Sequence, residues 1–193
     1  MGGTAPRQIW WVRHAQSRVD PAAAPDTWPL TDVGREATKQ LAHRIGWDQV
    51  AFIGSSHELK AQQTATVLAE VGQVPWLVVP GLEELRAPWF DSPTDLTAAF
   101  TGYLANRGGA GFESWTAAAE RIRSAAEWAL DEAHPKVPVL VSHGRILSVF
   151  FNEVSAEPFL ATHWQRLRFP DLRRFDADAG RILPEPDLPG QRQ

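Results

Sequence analysis

Arg13 and His14 stand side by side at the end of an apolar run, QIWWV, and a second run, PVLVS, ends on His143, Gly144 and Arg145. One histidine after an apolar run is an ordinary loop or core residue. Two of them, each with an arginine close by, point to a shared ligand. Imidazole and guanidinium together suit phosphate. Arginine offers a planar fork of donors to phosphate oxygens, and a neutral imidazole can attack phosphorus. Protein cations then stabilise charge on the transferring phosphoryl group, so the scheme requires no metal. It still requires a proton donor for the leaving oxygen. The remaining histidines, His43, His57, His134 and His163, have no paired metal-ligand spacing.

The elements that would hold these residues alternate. Gln8 to Val12, Val50 to Gly54, Trp76 to Val79 and Val137 to Val141 read as short strands, the first and last of them buried. Between them lie helical patterns. Thr31 is an N-cap for a helix to about Ile45, with Val33, Ala37, Leu41 and Ile45 on its apolar stripe. Glu58 to Val71 has Ala61, Ala65 and Leu68 on one face. Ser114 caps a long helix with a stripe from Trp115 through Ala118, Ile122, Ala125 and Ala129 to Ala133. A further helix runs from about Arg145 to Val154, and Trp164 to Phe169 with Leu172 to Phe175 reads as a hairpin around Pro170. Pro21 to Pro29 reads as a surface loop. Strands alternating with helices predict an α/β fold around a mainly parallel sheet. Ligands of such sheets bind beyond the carboxyl ends of the strands. If the strands ending at Arg13 and Ser142 are neighbours, His14 and His143 meet there. Gly144 then lets backbone approach a ligand, and the helix start behind it favours an anion.

The run Arg13-His14-Ala15-Gln16-Ser17 resembles the Arg-His-Gly-x-Thr/Ser signature of the histidine phosphatase superfamily, the phosphoglycerate mutase-like fold. The family's order continues along most of the chain. Leu30-Thr31-x-x-Gly34 is similar to its helix start, SHELKAQQTA (56–65) to its Ser-x-x-x-Arg-Ala-x-x-Thr-Ala segment, and Leu82-Glu83-Glu84 to its Leu-x-Glu. Glu113-Ser114 with Arg121 resembles its Glu-Ser and downstream arginine, and Ser142-His143-Gly144 its second histidine motif. The resemblance implies a three-layer α/β/α sandwich. It implies that His14 becomes phosphohistidine, that Arg13, Ser17, Lys60, His143 and Gly144 bind phosphate, and that Glu84, rather than Glu83, is the general acid. Trp89 and Phe90 follow that acid and are candidates for the pocket or the core.

This chain departs from the pattern at four places. Lys60 replaces an arginine, keeping the charge but losing the fork. Ala15 replaces glycine. Asp20 falls where many members carry an asparagine, and would repel phosphate unless it turns away or pairs with a cation such as Arg18. Gln16 stands where mutases carry an acid.

Length and composition fit this reading. The chain has 193 residues, suited to a single domain over 1–193, with a short cap at about 85–113 and a flexible tail after 183. It has no cysteine, so disulfides and thiolate chemistry are excluded. The formal charge of −4 gives no electrostatic reason to expect nucleic acid or a membrane as partner. The first residues lack the pattern of a signal peptide, so a cytoplasmic location is expected. The nine tryptophans are expected in the core. The expected activity is a metal-independent phosphatase without cofactor, acting on a small phosphorylated metabolite. A phosphoglycerate mutase and a catalytically weak phospho-ligand binder are the alternatives. The cap, with only Arg86 and Arg107 as cations, favours hydrolysis over a mutase, which must exclude water. The sequence leaves the substrate and the oligomeric state open.

Overall fold

The computed structural model describes residues 7–184. Six strands form one sheet in the order β3-β2-β4-β1-β5-β6. They are β1 (Gln8–Arg13), β2 (Val50–Ser55), β3 (Trp76–Val78), β4 (Val137–Ser142), β5 (Asp171–Asp176) and β6 (Arg181–Ile182). The first four run parallel, and β5 and β6 add an antiparallel edge. All six residues of β4 are buried, as a central parallel strand covered on both faces requires.

Strand alternation divides the interior in two. Ile9 and Trp11 of β1 point into a cluster with α4 (Trp115–Ala133) and α5 (Gly144–Val154). Trp10 and Val12 point the other way, toward α1 (Asp32–Ala42) and α2 (Leu59–Gly72). The result is the expected α/β/α sandwich. The α4 stripe is buried at every position named from the sequence, and Ser114 accepts from Ala117 N–H as its N-cap.

The structure corrects several readings. α1 ends at Ala42, and its buried positions are Gly34, Thr38, Leu41 and Ala42; Val33 is 70% exposed. The helix turns Gly34 inward because a Cβ there would meet Gln16 O at 2.3 Å, so only glycine allows this approach. The segment 85–113 contains a helix, α3 (Pro93–Asn106), capped by Ser92 with Pro93 in its first turn. Its buried residues, Phe100 and Tyr103, join the α4–α5 core. Trp164 to Phe169 is not a strand. It includes the end of the short helix α6 (Ala161–Gln165), and Trp164 packs on Phe100 at 4.8 Å. The hairpin is β5–β6 instead, since the free edge of β1 takes β5 as its partner. Trp10, Trp11 and Trp115 are core residues, but Trp28, Trp89 and Trp128 are not. The loop 21–29 is mostly exposed and contains one short 3-10 turn. The tail beyond Pro184 lies outside the described residues. Among the described residues, no helix is long and apolar enough to cross a membrane.

Candidate active site

Sheet register brings the two histidines together. Arg13 of β1 pairs with Ser142 of β4, so the next residue of each strand, His14 and His143, leaves the sheet at the same edge. His14 N–H donates to Ser142 O at 2.9 Å, and the two imidazole centroids are 5.0 Å apart.

His14 is oriented by one bond. Its Nδ1 lies 2.8 Å from Ala15 O. A carbonyl can only accept, so Nδ1 carries the proton and Nε2 keeps its lone pair. Burial holds the pKa of His14 well below 6.5, and the neighbouring His143 pushes it the same way, so the ring is neutral. Ala15 N–H donates to Thr64 Oγ1, which ties this turn to α2.

His143 Nε2 lies 2.7 Å from Ser56 Oγ and 3.3 Å from Glu58 Oε1. Its Nδ1 is buried without a partner. Burial takes its pKa down to about 3 despite the attraction of Glu84. Arg13 donates through Nη1 to Leu167 O, and its guanidinium carbon lies 3.5 Å from the centroid of the Phe169 ring. Its Nε has no partner. Burial lowers its pKa to about 10, so it remains a cation at neutral pH. Gly144 is glycine because a Cβ there would come within 3.0 Å of that guanidinium.

Glu84 sits across α5's first turn. It accepts from Ile146 N–H at 3.0 Å and Leu85 N–H at 2.9 Å, and its Oε2 is 3.2 Å from Arg145 Nε. Burial works against its ionisation. Arg145, His143 and the two N–H donors outweigh that and take its pKa to about 2. It is therefore a carboxylate held at a helix N-terminus, where negative charge is favoured.

The loop that carries Glu84 is clamped. Arg121 donates to Glu113 through Nε and Nη2, both at 2.9 Å, and to the carbonyls of Gly81, Glu83 and Glu84. Ser142 Oγ donates to Leu82 O from the sheet side. Glu83 points to His57, accepts from Gly81 N–H, and lies 3.6 Å from Arg121 Nη1.

Lys60 is paired rather than free. It is buried, with Nζ 2.5 Å from Glu58 Oε2 and 2.8 Å from Pro25 O. Glu58 Oε1 in turn accepts from Glu84 N–H at 2.7 Å. Asp20 turns away and accepts from Ala22 N–H, rather than pairing with Arg18. Gln16 accepts from Thr31 Oγ1 outside the site. Arg107 pairs with Glu153.

Arg13, His14, Ser17, Lys60 and Glu84 line one pocket of about 420 Å³. Glu58, Arg145, Trp28 and Phe169 also line it, and the sequence reading assigned none of these four. Arg145 carried a signal, its place directly after His143-Gly144. Glu58 carried a weaker one, two residues before Lys60. Trp28 and Phe169 carried none, since they arrive from distant loops. Trp89 is exposed and meets Trp28 edge-on at 6.2 Å, while Phe90 packs on Phe112.

The chain is similar in sequence and fold to known proteins. The chain is 28% identical over 181 residues to a protein of Yersinia pestis (strain Pestoides F) named probable phosphoglycerate mutase GpmB, covering 88% of this chain and 84% of that one. Among solved structures, it superposes on Bacillus stearothermophilus YhfR with a TM-score of 0.71 at 17% identity, covering 96% of this chain and 98% of that one. It superposes on a mycobacterial glucosyl-3-phosphoglycerate phosphatase with a TM-score of 0.67 at 22% identity, covering 91% and 94%. The family model described as the histidine phosphatase superfamily (branch 1) matches residues 9–177, and the chain belongs to that family.

Proposed function

We propose that the protein hydrolyses a small phosphate monoester through a phosphohistidine on His14. The observation that carries this reading is the bond from His14 Nδ1 to Ala15 O, which leaves a neutral Nε2 lone pair beside Arg13 and His143. In the first step Nε2 attacks phosphorus, the bond to the leaving oxygen breaks, and that oxygen takes a proton from Glu84. In the second, water attacks phosphorus and gives a proton to the Glu84 carboxylate. The N–P bond then returns its electrons to Nε2, and inorganic phosphate leaves. Arg13 and Arg145 stabilise the phosphoryl charge. A phosphoryl oxygen supplies the partner that His143 Nδ1 lacks, and its charge favours protonated His143. The same charge, with competition for Arg145, raises the pKa of Glu84 and makes it a usable acid. The mycobacterial neighbour was solved in complex with inorganic phosphate and with VO3, which supports a phosphate-like anion as the ligand.

The test is to trap the intermediate. Brief exposure to a labelled phosphate donor should label His14 with an acid-labile, base-stable bond, and turnover should persist in EDTA. Labelling that survives His14→Ala would overturn the assignment. A mutase is the second reading, favoured by the name of the Yersinia relative. Interconversion of 2- and 3-phosphoglycerate faster than release of phosphate would establish it.

A further inference from the structure

A second cavity, of about 380 Å³, lies where the end of α5, α6 and the β5–β6 hairpin meet. It shares no lining residue with the pocket around His14. Three arginines reach it, Arg166, Arg173 and Arg181, in a chain whose formal charge is −4. Arg173 is held by Asp171 through Nε and Nη2. Among the described residues, the side chains of Arg166 and Arg181 have no hydrogen-bond or ion-pair partner. Glu157, the acid on the lining, forms no ion pair with any of the three. Like charges gathered this way repel one another, and an anion between them removes the repulsion.

A ring nitrogen adds to the arrangement. His163 Nδ1 accepts from Leu160 N–H at 2.9 Å, so in the neutral ring Nε2 carries the proton and is left to donate. Phe159 and Ile182 form an apolar wall beside these groups. Convergent cations and a donor on one side and an apolar wall on the other describe a pocket for an amphiphilic anion.

We infer that this cavity is a second anion site, which takes a small phosphorylated molecule with its phosphoryl group on Arg166, Arg173 and Arg181 and its apolar body against Phe159 and Ile182. The inference does not depend on the reaction proposed for His14.

Phenylphosphonate is a suitable probe, because its P–C bond has no leaving oxygen to hydrolyse. Titrating the full chain and following backbone amide resonances should reveal two groups of shifts with separate saturation. One comprises residues near 13–15 and 143–146. The other comprises 155–157, 163 and 180–182. In Arg166→Ala/Arg181→Ala the second group should weaken by about tenfold or more, as expected when charge-assisted contacts are lost. The first group should be unchanged and so reports that the variant is folded. Arg168→Ala removes a nearby exposed charge that does not line the cavity, and should leave both groups intact. The inference is overturned if the second group does not move in the wild-type chain. It is equally overturned if that group moves as strongly in the double variant, or weakens as much in Arg168→Ala.

Discussion

At the scale of single residues, each carboxylate of the site is paired with a cation. Glu84 is matched by Arg145 and Glu58 by Lys60. The first pair must loosen for Glu84 to donate a proton, so the leaving group reports on it. Glu84→Gln should slow phosphorylation of His14 by alkyl phosphates by roughly 10²–10⁴-fold, and by p-nitrophenyl phosphate far less, since p-nitrophenolate leaves without a proton. Burst-phase kinetics separate this step from hydrolysis of the phosphohistidine. Equal slowing with both substrates would show that Glu84 acts through position or field. The second pair is structural as much as functional. Lys60→Met leaves the Glu58 carboxylate buried beside His143 without its cation and should cost about 3–5 kcal/mol in urea unfolding. Adding Glu58→Gln should recover most of that loss. If Lys60→Met alone leaves stability unchanged, the buried pair does not exist in solution.

At the scale of elements, the sheet places His14, the proposed nucleophile, but not Glu84, the proposed acid. Glu84 lies on a loop after β3, and that loop is fixed by a residue on α4. Arg121 reaches three of its carbonyls while Glu113, only 2% exposed at its side chain, holds the guanidinium in plane. Losing the clamp should let the loop shift without removing any group that touches substrate. Misplacement of about an ångström is enough to cost roughly 10²-fold. Arg121→Gln is therefore expected to lower kcat for alkyl phosphates by about that factor with little change in KM, and to spare p-nitrophenyl phosphate in the phosphorylation step. A proportional rise in KM would instead place Arg121 in substrate binding.

At the scale of the whole molecule, burying two histidines as neutral rings ties stability to pH. His14 and His143 have pKa values well below 6.5 in the fold, the second at about 3, and both titrate near 6.5 once unfolded. Below pH 6.5 the unfolded chain therefore binds more protons, and stability falls as pH drops. Each histidine contributes a slope of about 1.4 kcal/mol per pH unit. Glu84, with a folded value of about 2 against 4.5, adds a further loss below pH 4.5 in the same direction. Urea unfolding between pH 6 and 5 should show this slope, and His14→Asn should reduce it by one histidine's share. An unchanged slope in the variant would mean that His14 is protonated in the folded protein.

Much was legible from local pattern. The buried strands β1, β2 and β4, the Thr31 and Ser114 caps and the α4 stripe follow from short-range sterics and hydrogen bonding, and the sequence alone determined them. It also determined that Arg13-His14 and His143-Gly144-Arg145 lie at the carboxyl ends of strands, which is why the histidines were legible as a site. The tertiary structure decided three other things. It decided that β1 and β4 are neighbours, because register joins residues about 130 positions apart by hydrogen bonds that no local pattern encodes. It decided which face α1 buries, because the close approach at Gln16 favours Gly34 over the more apolar Val33. And it decided the electrostatics. Lys60 reads as a free cation until Glu58 and Pro25 close on it, and Glu84 reads as an acid until Arg145 and the α5 N-terminus hold it ionised. A charge's behaviour depends on what surrounds it in three dimensions, and the surroundings of these two residues come from loops and helix ends.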